Sequence, residues 1–304
     1  MSSPQFLDFA QRLGRVRELA STPGLSLDLI REVCESFHRA TAEPIGVSYE
    51  EVDIDGLPAM WCIPDAASPR HALLHFHFGG AVVASMHTDR KAAAHIAKAA
   101  GMRTLVVDFR RAPESPFPAQ LDDAEAAYGW LLQQGFCSRH IGSVGHSIGG
   151  TLAVQLPLRL AAQGKPTPGA VLSISPWCDP TMSDPSIDAN ADNDKMLSRG
   201  LLEMFRGALL DAAGVDRLDP RVNLNVADLS PLPPTYLAFG EFELLAGEAR
   251  SFGRRLESIP QHCEIHPLAE GQHSFILGAG RVPEVDSAIM SMGAWLKSVL
   301  GATE

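Results

Sequence analysis

Basic residues are in short supply in this chain. Its 25 Lys and Arg face 36 Asp and Glu, for a formal net charge of −11 at pH 7. No Lys/Arg-rich run occurs, which excludes a polyanion-binding face of the kind that tracks nucleic acid. Cysteine is sparse as well. Cys34, Cys62, Cys137, Cys178 and Cys263 are widely spaced and form no C-x-x-C pair. Neither a disulfide framework nor a zinc knuckle is expected, and free thiols point to a reducing compartment. Long apolar runs are also missing. The uncharged stretch 141–158 is broken by four glycines, a proline, a histidine and a glutamine, so it is a poor membrane span. Asp8, Arg12 and Arg15 interrupt the N-terminal segment, against a secretory leader. A cytoplasmic location is expected, with neither membrane nor nucleic acid as partner.

What the chain does have is alternation. Its 304 residues are 45% hydrophobic and 20% charged, ample for one large α/β domain. Residues 1–44 read as helices, and 46–64 as an antiparallel strand pair around the Asp55-Gly56 turn. Beyond them, strand-like runs at 72–78, 103–109, 140–147, 169–177, 234–240 and 263–269 alternate with helical patterns. That order calls for a mostly parallel sheet covered by helices on both faces. Residues 180–226 interrupt the rhythm and read as an insertion. The expected organisation is a helical cap segment over 1–44 and an α/β domain over 45–304, with a cap insertion near 180–226.

"GHSIG", residues 145–149, fits G-x-S-x-G between a strand and a helix. A serine on such a turn stands at a helix N-terminus, where a nucleophile needs a base, an orienting acid and N–H donors for the oxyanion. His273 in "GQHSF" follows the last strand and is the candidate base. After the preceding strand, "GEFELLAGEA" offers Glu241, Glu243 and Glu248 as the acid. Upstream, "HFHFGG" (75–80) leaves two options. His75 and His77 could share a strand face and ligate a metal, with Asp108 as a further ligand, or the glycines could shape an anion-binding loop.

Together these residues resemble the bacterial hormone-sensitive-lipase-like esterases of the α/β-hydrolase fold. His77-Phe78-Gly79-Gly80 matches the family's His-Gly-Gly-Gly motif. "DFRRAPESPFPAQLDD" (108–123) and "SPWCD" (175–179) match two more of its signatures. "ADLSPLPPTYLAFGEFELL" (227–245) is similar to its acid-bearing strand, and "GQHSF" (271–275) to its histidine loop. The resemblance spans about residues 45–300 in the right order. It implies an α/β-hydrolase fold and a serine esterase, with Ser147 as nucleophile, His273 as base and Glu243 as acid. Gly79, Gly80 and Ile148 are implied as oxyanion donors, and no metal or organic cofactor is needed.

Four positions depart from the pattern. Phe78 replaces the motif's first glycine and sets a ring near the pocket mouth. Ile148 replaces the common alanine, and Glu243 the more usual aspartate. His146 stands where many relatives carry Asp and is read as an inert neighbour of the serine. Trp177 is a candidate pocket wall. The expected substrates are small carboxylic esters or lactones. An amidase or carbamate hydrolase with the same triad, or a non-catalytic binding protein on the same fold, are the rival functions. The sequence leaves homodimerisation open.

Overall fold

Asp55 (φ 52°) and Gly56 (φ 91°) turn the chain between β1 (Val47–Ile54) and β2 (Leu57–Pro64). Two successive left-handed residues suit the twist of an antiparallel pair, and the strands pair from Val47↔Pro64 to Ile54↔Leu57. In the computed structural model, which describes residues 2–302, two helices precede this hairpin, α1 (Pro4–Ala20) and α2 (Leu27–Glu35). The chain then runs β3 (Ser68–Phe76), α3 (Met86–Ala100), β4 (Met102–Val107), α4 (Ala119–Gln133), β5 (Ile141–His146) and α5 (Ile148–Ala162). It continues through β6 (Ala170–Ile174), α6 (Ser186–Ala189), α7 (Arg199–Leu209), β7 (Thr235–Gly240), α8 (Ala246–Leu256), β8 (Cys263–Leu268) and α9 (Pro283–Leu300).

The eight strands form one sheet in the order β1-β2-β4-β3-β5-β6-β7-β8. β2 runs antiparallel to both neighbours, and every pair from β4 to β8 is parallel. Parallel strands need cover on both faces, and β5, β6 and β7 are buried at every residue. Because β4 lies on one side of β3 and β5 on the other, the order reverses at β3. A crevice therefore opens beyond the C-terminal ends of β3 and β5, where open α/β sheets bind ligands.

α5 is helical through Pro157. That residue has no N–H for the carbonyl of Ala153, four positions back. The hydroxyl of Ser143 on β5 donates to this carbonyl instead, at 2.9 Å.

Two boundaries differ from expectation. β3 ends at Phe76, not 78, because the chain leaves the sheet at His77 toward Gly79, whose φ is 105°. Within the segment read as helical over 1–44, α2 stops at Glu35 and tightens into a 3-10 turn over Ser36–Arg39, where Ser36 Oγ donates to Val33 O.

The N-terminal helices bury Phe6, Phe9, Leu13 and Phe37. Arg17 of α1 donates to the carbonyls of Asp194 (2.7 Å) and Leu197 (3.1 Å). Arg31 of α2 reaches Val82 O (2.9 Å) and Ala112 O (3.0 Å). Among the described residues, no helix is long and apolar enough to cross a membrane.

Candidate active site

Ser147 joins β5 to α5 at φ 57°, ψ −129°, a region that costs a non-glycine residue about 1–3 kcal/mol. The glycines around it permit close packing. A Cβ on Gly149 would lie 2.0 Å from the carbonyl oxygen of Phe76, and one on Gly145 2.2 Å from that of Gly149. The first turn of α5 is thus pressed against the end of β3, where His77 to Gly80 leave the sheet. Gly79 accepts the N–H groups of Val82 and Val83 on its carbonyl, both at 3.0 Å. Among the described residues, nothing accepts the N–H of Gly79, Gly80 or Ile148. These three N–H groups are therefore left without an acceptor of their own.

Beyond β7 and β8, Glu243 and His273 meet. Glu243 Oε2 lies 3.0 Å from His273 Nδ1, and both side chains are buried. Glu241 goes elsewhere: it is 40% exposed and pairs with Arg250 at 3.0 Å. Glu248 accepts the N–H groups of Cys178 (3.2 Å) and Asp179 (3.1 Å). Burial pushes the His273 imidazole down to about 4, with Asp194 pulling the other way. Burial also pushes the Glu243 carboxyl well above its ordinary value, opposed by the Ser175 hydroxyl, the Gly240 backbone and Arg250. His273 is therefore neutral near pH 7, and among the described residues its Nε2 has no hydrogen-bond partner. A neutral imidazole with a free nitrogen is a base.

The family profile described as alpha/beta hydrolase fold matches residues 73–277. An esterase of Acinetobacter venetianus is 32% identical over 234 residues, covering 77% of each chain. An acetyl-hydrolase of Streptomyces hygroscopicus is 29% identical, covering 90% of this chain and 97% of its own. The crystal structure of an esterase from the bacterial hormone-sensitive lipase (HSL) family superposes with a TM-score of 0.92 at 32% identity, over 99% of this chain and 100% of that one. This chain belongs to the bacterial HSL family. Like its relatives in this α/β-hydrolase family, it is a carboxylic ester hydrolase.

In this HSL-family fold the two histidines of the "HFHF" run part company. His77 stacks on Phe109, with ring centroids 4.0 Å apart, and its Nδ1 donates to Phe78 O at 2.7 Å. His75 turns the other way, and its Nε2 lies 2.6 Å from Asp89 Oδ2. The other oxygen of Asp89 lies 2.8 Å from Nε2 of His146. Expectation had His146 as inert; it is fully buried in this cluster. Burial would raise the Asp89 carboxyl, but His146 and then His75 outweigh it and hold it below the ordinary range. These three donors lie within 4.8 Å of one another and are of a type that holds a divalent transition metal. The short contacts already have an account, however, as an Nε2–H from each imidazole to its own carboxylate oxygen. Nothing local to either histidine marks Asp89 as their partner.

Phe78 is not at a pocket mouth. With the chain turning at Gly79, its ring packs between Phe37 (5.6 Å, edge-on) and His146 (5.0 Å), and it is 1% exposed. Trp177 is buried and lines a cavity with Ile148. Phe205 of α7 lies over the Gly79–Gly80 turn, so that a Cβ on Gly80 would meet its ring at 2.3 Å.

The segment before α7 straps both the Glu243 loop and the His273 loop. Asn190 Nδ2 donates to Glu241 O (3.0 Å) and Glu243 O (2.9 Å). Lys195 N–H donates to Gln272 Oε1 at 2.7 Å, beside His273.

Proposed function

We propose that this HSL-family enzyme cleaves small carboxylic esters, lactones included, through an acyl-enzyme on Ser147. The observation that carries this is the 3.0 Å contact between Glu243 and the buried His273, together with a serine held on a strained elbow. Ser147 Oγ attacks the acyl carbonyl while His273 Nε2 takes its proton. The oxyanion is met by the N–H groups of Gly79, Gly80 and Ile148. Glu243 holds the proton of His273 on Nδ1 and stabilises the imidazolium. As the tetrahedral adduct collapses, His273 returns the proton to the leaving alcohol. Water, deprotonated by the same imidazole, then releases the acid. These steps close without a metal or organic cofactor.

The N-terminal segment and the 180–226 insertion serve as a cap over this chemistry. Supporting that role, α2 ties to the anion-binding loop through Arg31, and α7 lays Phe205 on Gly80. The free thiols of all five cysteines support a cytoplasmic setting.

A fluorophosphonate probe tests the assignment. It should label Ser147, and Ser147→Ala should lose both labelling and hydrolysis of p-nitrophenyl acetate by about 10⁴-fold with the fold intact. Residual activity above about a hundredth of wild type would contradict it.

A further inference from the structure

A cavity of about 20 Å³ lies against the first turns of α5, walled by Ile148, Leu152, Phe117 and Leu209. It has room for about one water-sized group. Gln120 and Trp177 also line it, at 1% and 4% exposure.

The Gln120 amide is oriented by its surroundings. Its Nε2 donates to Arg110 O (2.7 Å) and Ser115 O (2.6 Å), which uses both hydrogens. Among the described residues, Oε1 then has no donor and Trp177 Nε1–H has no acceptor. The other polar lining residues have partners. Thr151 Oγ1 donates to Trp177 O at 2.8 Å, and Gln155 Nε2 to Arg221 O at 2.7 Å. A buried polar atom without a partner is rare and destabilising. Here an unmet acceptor and an unmet donor belong to two side chains that line the same small apolar chamber, next to Ile148, which follows Ser147.

We propose that this chamber recognises a hydroxyl group on the ester, which donates to Gln120 Oε1 and accepts from Trp177 Nε1–H. The substrate class is then short esters with a hydroxyl close to the ester group, either on the acyl side, as in an ester of a small hydroxy acid, or on the alkoxy side, as in a monoester of a diol. This rests on Ser147 being the esterase nucleophile. A site built to satisfy a hydroxyl discriminates strongly against the analogue that lacks it, because both buried groups are again left unpaired.

The test compares kcat/KM for three esters on the full-length protein, each value divided by the ester's hydroxide-catalysed rate. Ethyl glycolate against ethyl acetate probes the acyl side, and 2-hydroxyethyl acetate against ethyl acetate probes the alkoxy side. One of these normalised ratios should exceed about 10. Trp177→Phe, which keeps a ring and removes the N–H, should bring that ratio down toward 1, whatever it does to ethyl acetate itself. Ratios at or below 1 on both sides would overturn the proposal, as would a preference that Trp177→Phe leaves intact. If ethyl acetate is turned over and the probe labels Ser147, such a result sinks the hydroxyl site alone. If no ester is turned over and Ser147 is not labelled, the nucleophile assignment falls and takes this proposal with it.

Discussion

Asp194 Oδ2 accepts the N–H of Leu244, the residue after Glu243, at 2.9 Å. Its Oδ1 takes the N–H groups of Met196 and Leu197, both at 2.8 Å. One buried carboxylate thus fixes the acid loop to the segment before α7, and its charge also acts on His273. Asp194→Asn would set an NH₂ against one of these N–H groups and remove the charge. The expected result is a loss in kcat of about 10–100-fold with KM for a small ester little changed. Since Asp194 raises the His273 pKa, the acid limb of the pH–rate profile should also move to lower pH. A loss of activity with the profile unmoved would reduce Asp194 to a structural strut.

Glu243→Gln should collapse kcat by about 10⁴-fold, because the imidazole loses its tautomer control and its counter-charge. Glu241→Gln, which removes only a half-exposed pair with Arg250, should change kcat less than about 2-fold, in line with the small worth of surface ion pairs. Steady-state kinetics on both variants decides this, and the reverse ranking would move the acid to Glu241.

The pH profile has a definite sign. In its proposed role as base His273 must be neutral, and burial lowers its pKa from 6.5 to about 4. Glu243, Asp194 and His146 are the titratable groups around it. The rate constant kcat/KM should therefore stay level as the pH falls through 6.5 and decline only as it nears about 4. Stability follows the same group: between those values the unfolded chain binds a proton that the folded imidazole refuses, so stability falls as the pH drops. Initial rates paired with a denaturation curve at each pH would separate the two effects. An acid limb centred near 6.5 would mean either that the imidazole is not desolvated or that protonation of Glu243, whose carboxyl burial pushes up, controls the limb.

Turnover should survive exhaustive chelation, because each imidazole in the His75–Asp89–His146 cluster has its own carboxylate oxygen. Loss of activity in EDTA, restored by added zinc or manganese, would instead put an ion between them.

Much of this could be read along the chain. The α/β alternation was legible because buried parallel strands are short apolar runs, and G-x-S-x-G because a tight elbow needs its glycines. The end of β3 was not, since the alternating "HFHF" continues the pattern of a strand after the backbone has left the sheet. Asp89 was hidden for a different reason. It sits 14 residues from His75 and 57 from His146, and only the packing of α3 against the sheet brings the three together. Gln120 and Trp177 are likewise on separate elements, and nothing near either one announces an unmet hydrogen bond.

The bond from Ser143 to the carbonyl that Pro157 leaves open makes a strand and a helix share one connection midway along their lengths. Local melting of α5 would have to break its tie to β5, so the two should open as a single cooperative unit, with amide protons exchanging at one common free energy. Ser147 lies between them. Its strained backbone is thus clamped from both sides by elements that separate only when the centre of the sheet does, and Ser147 should keep its geometry while outer helices fray.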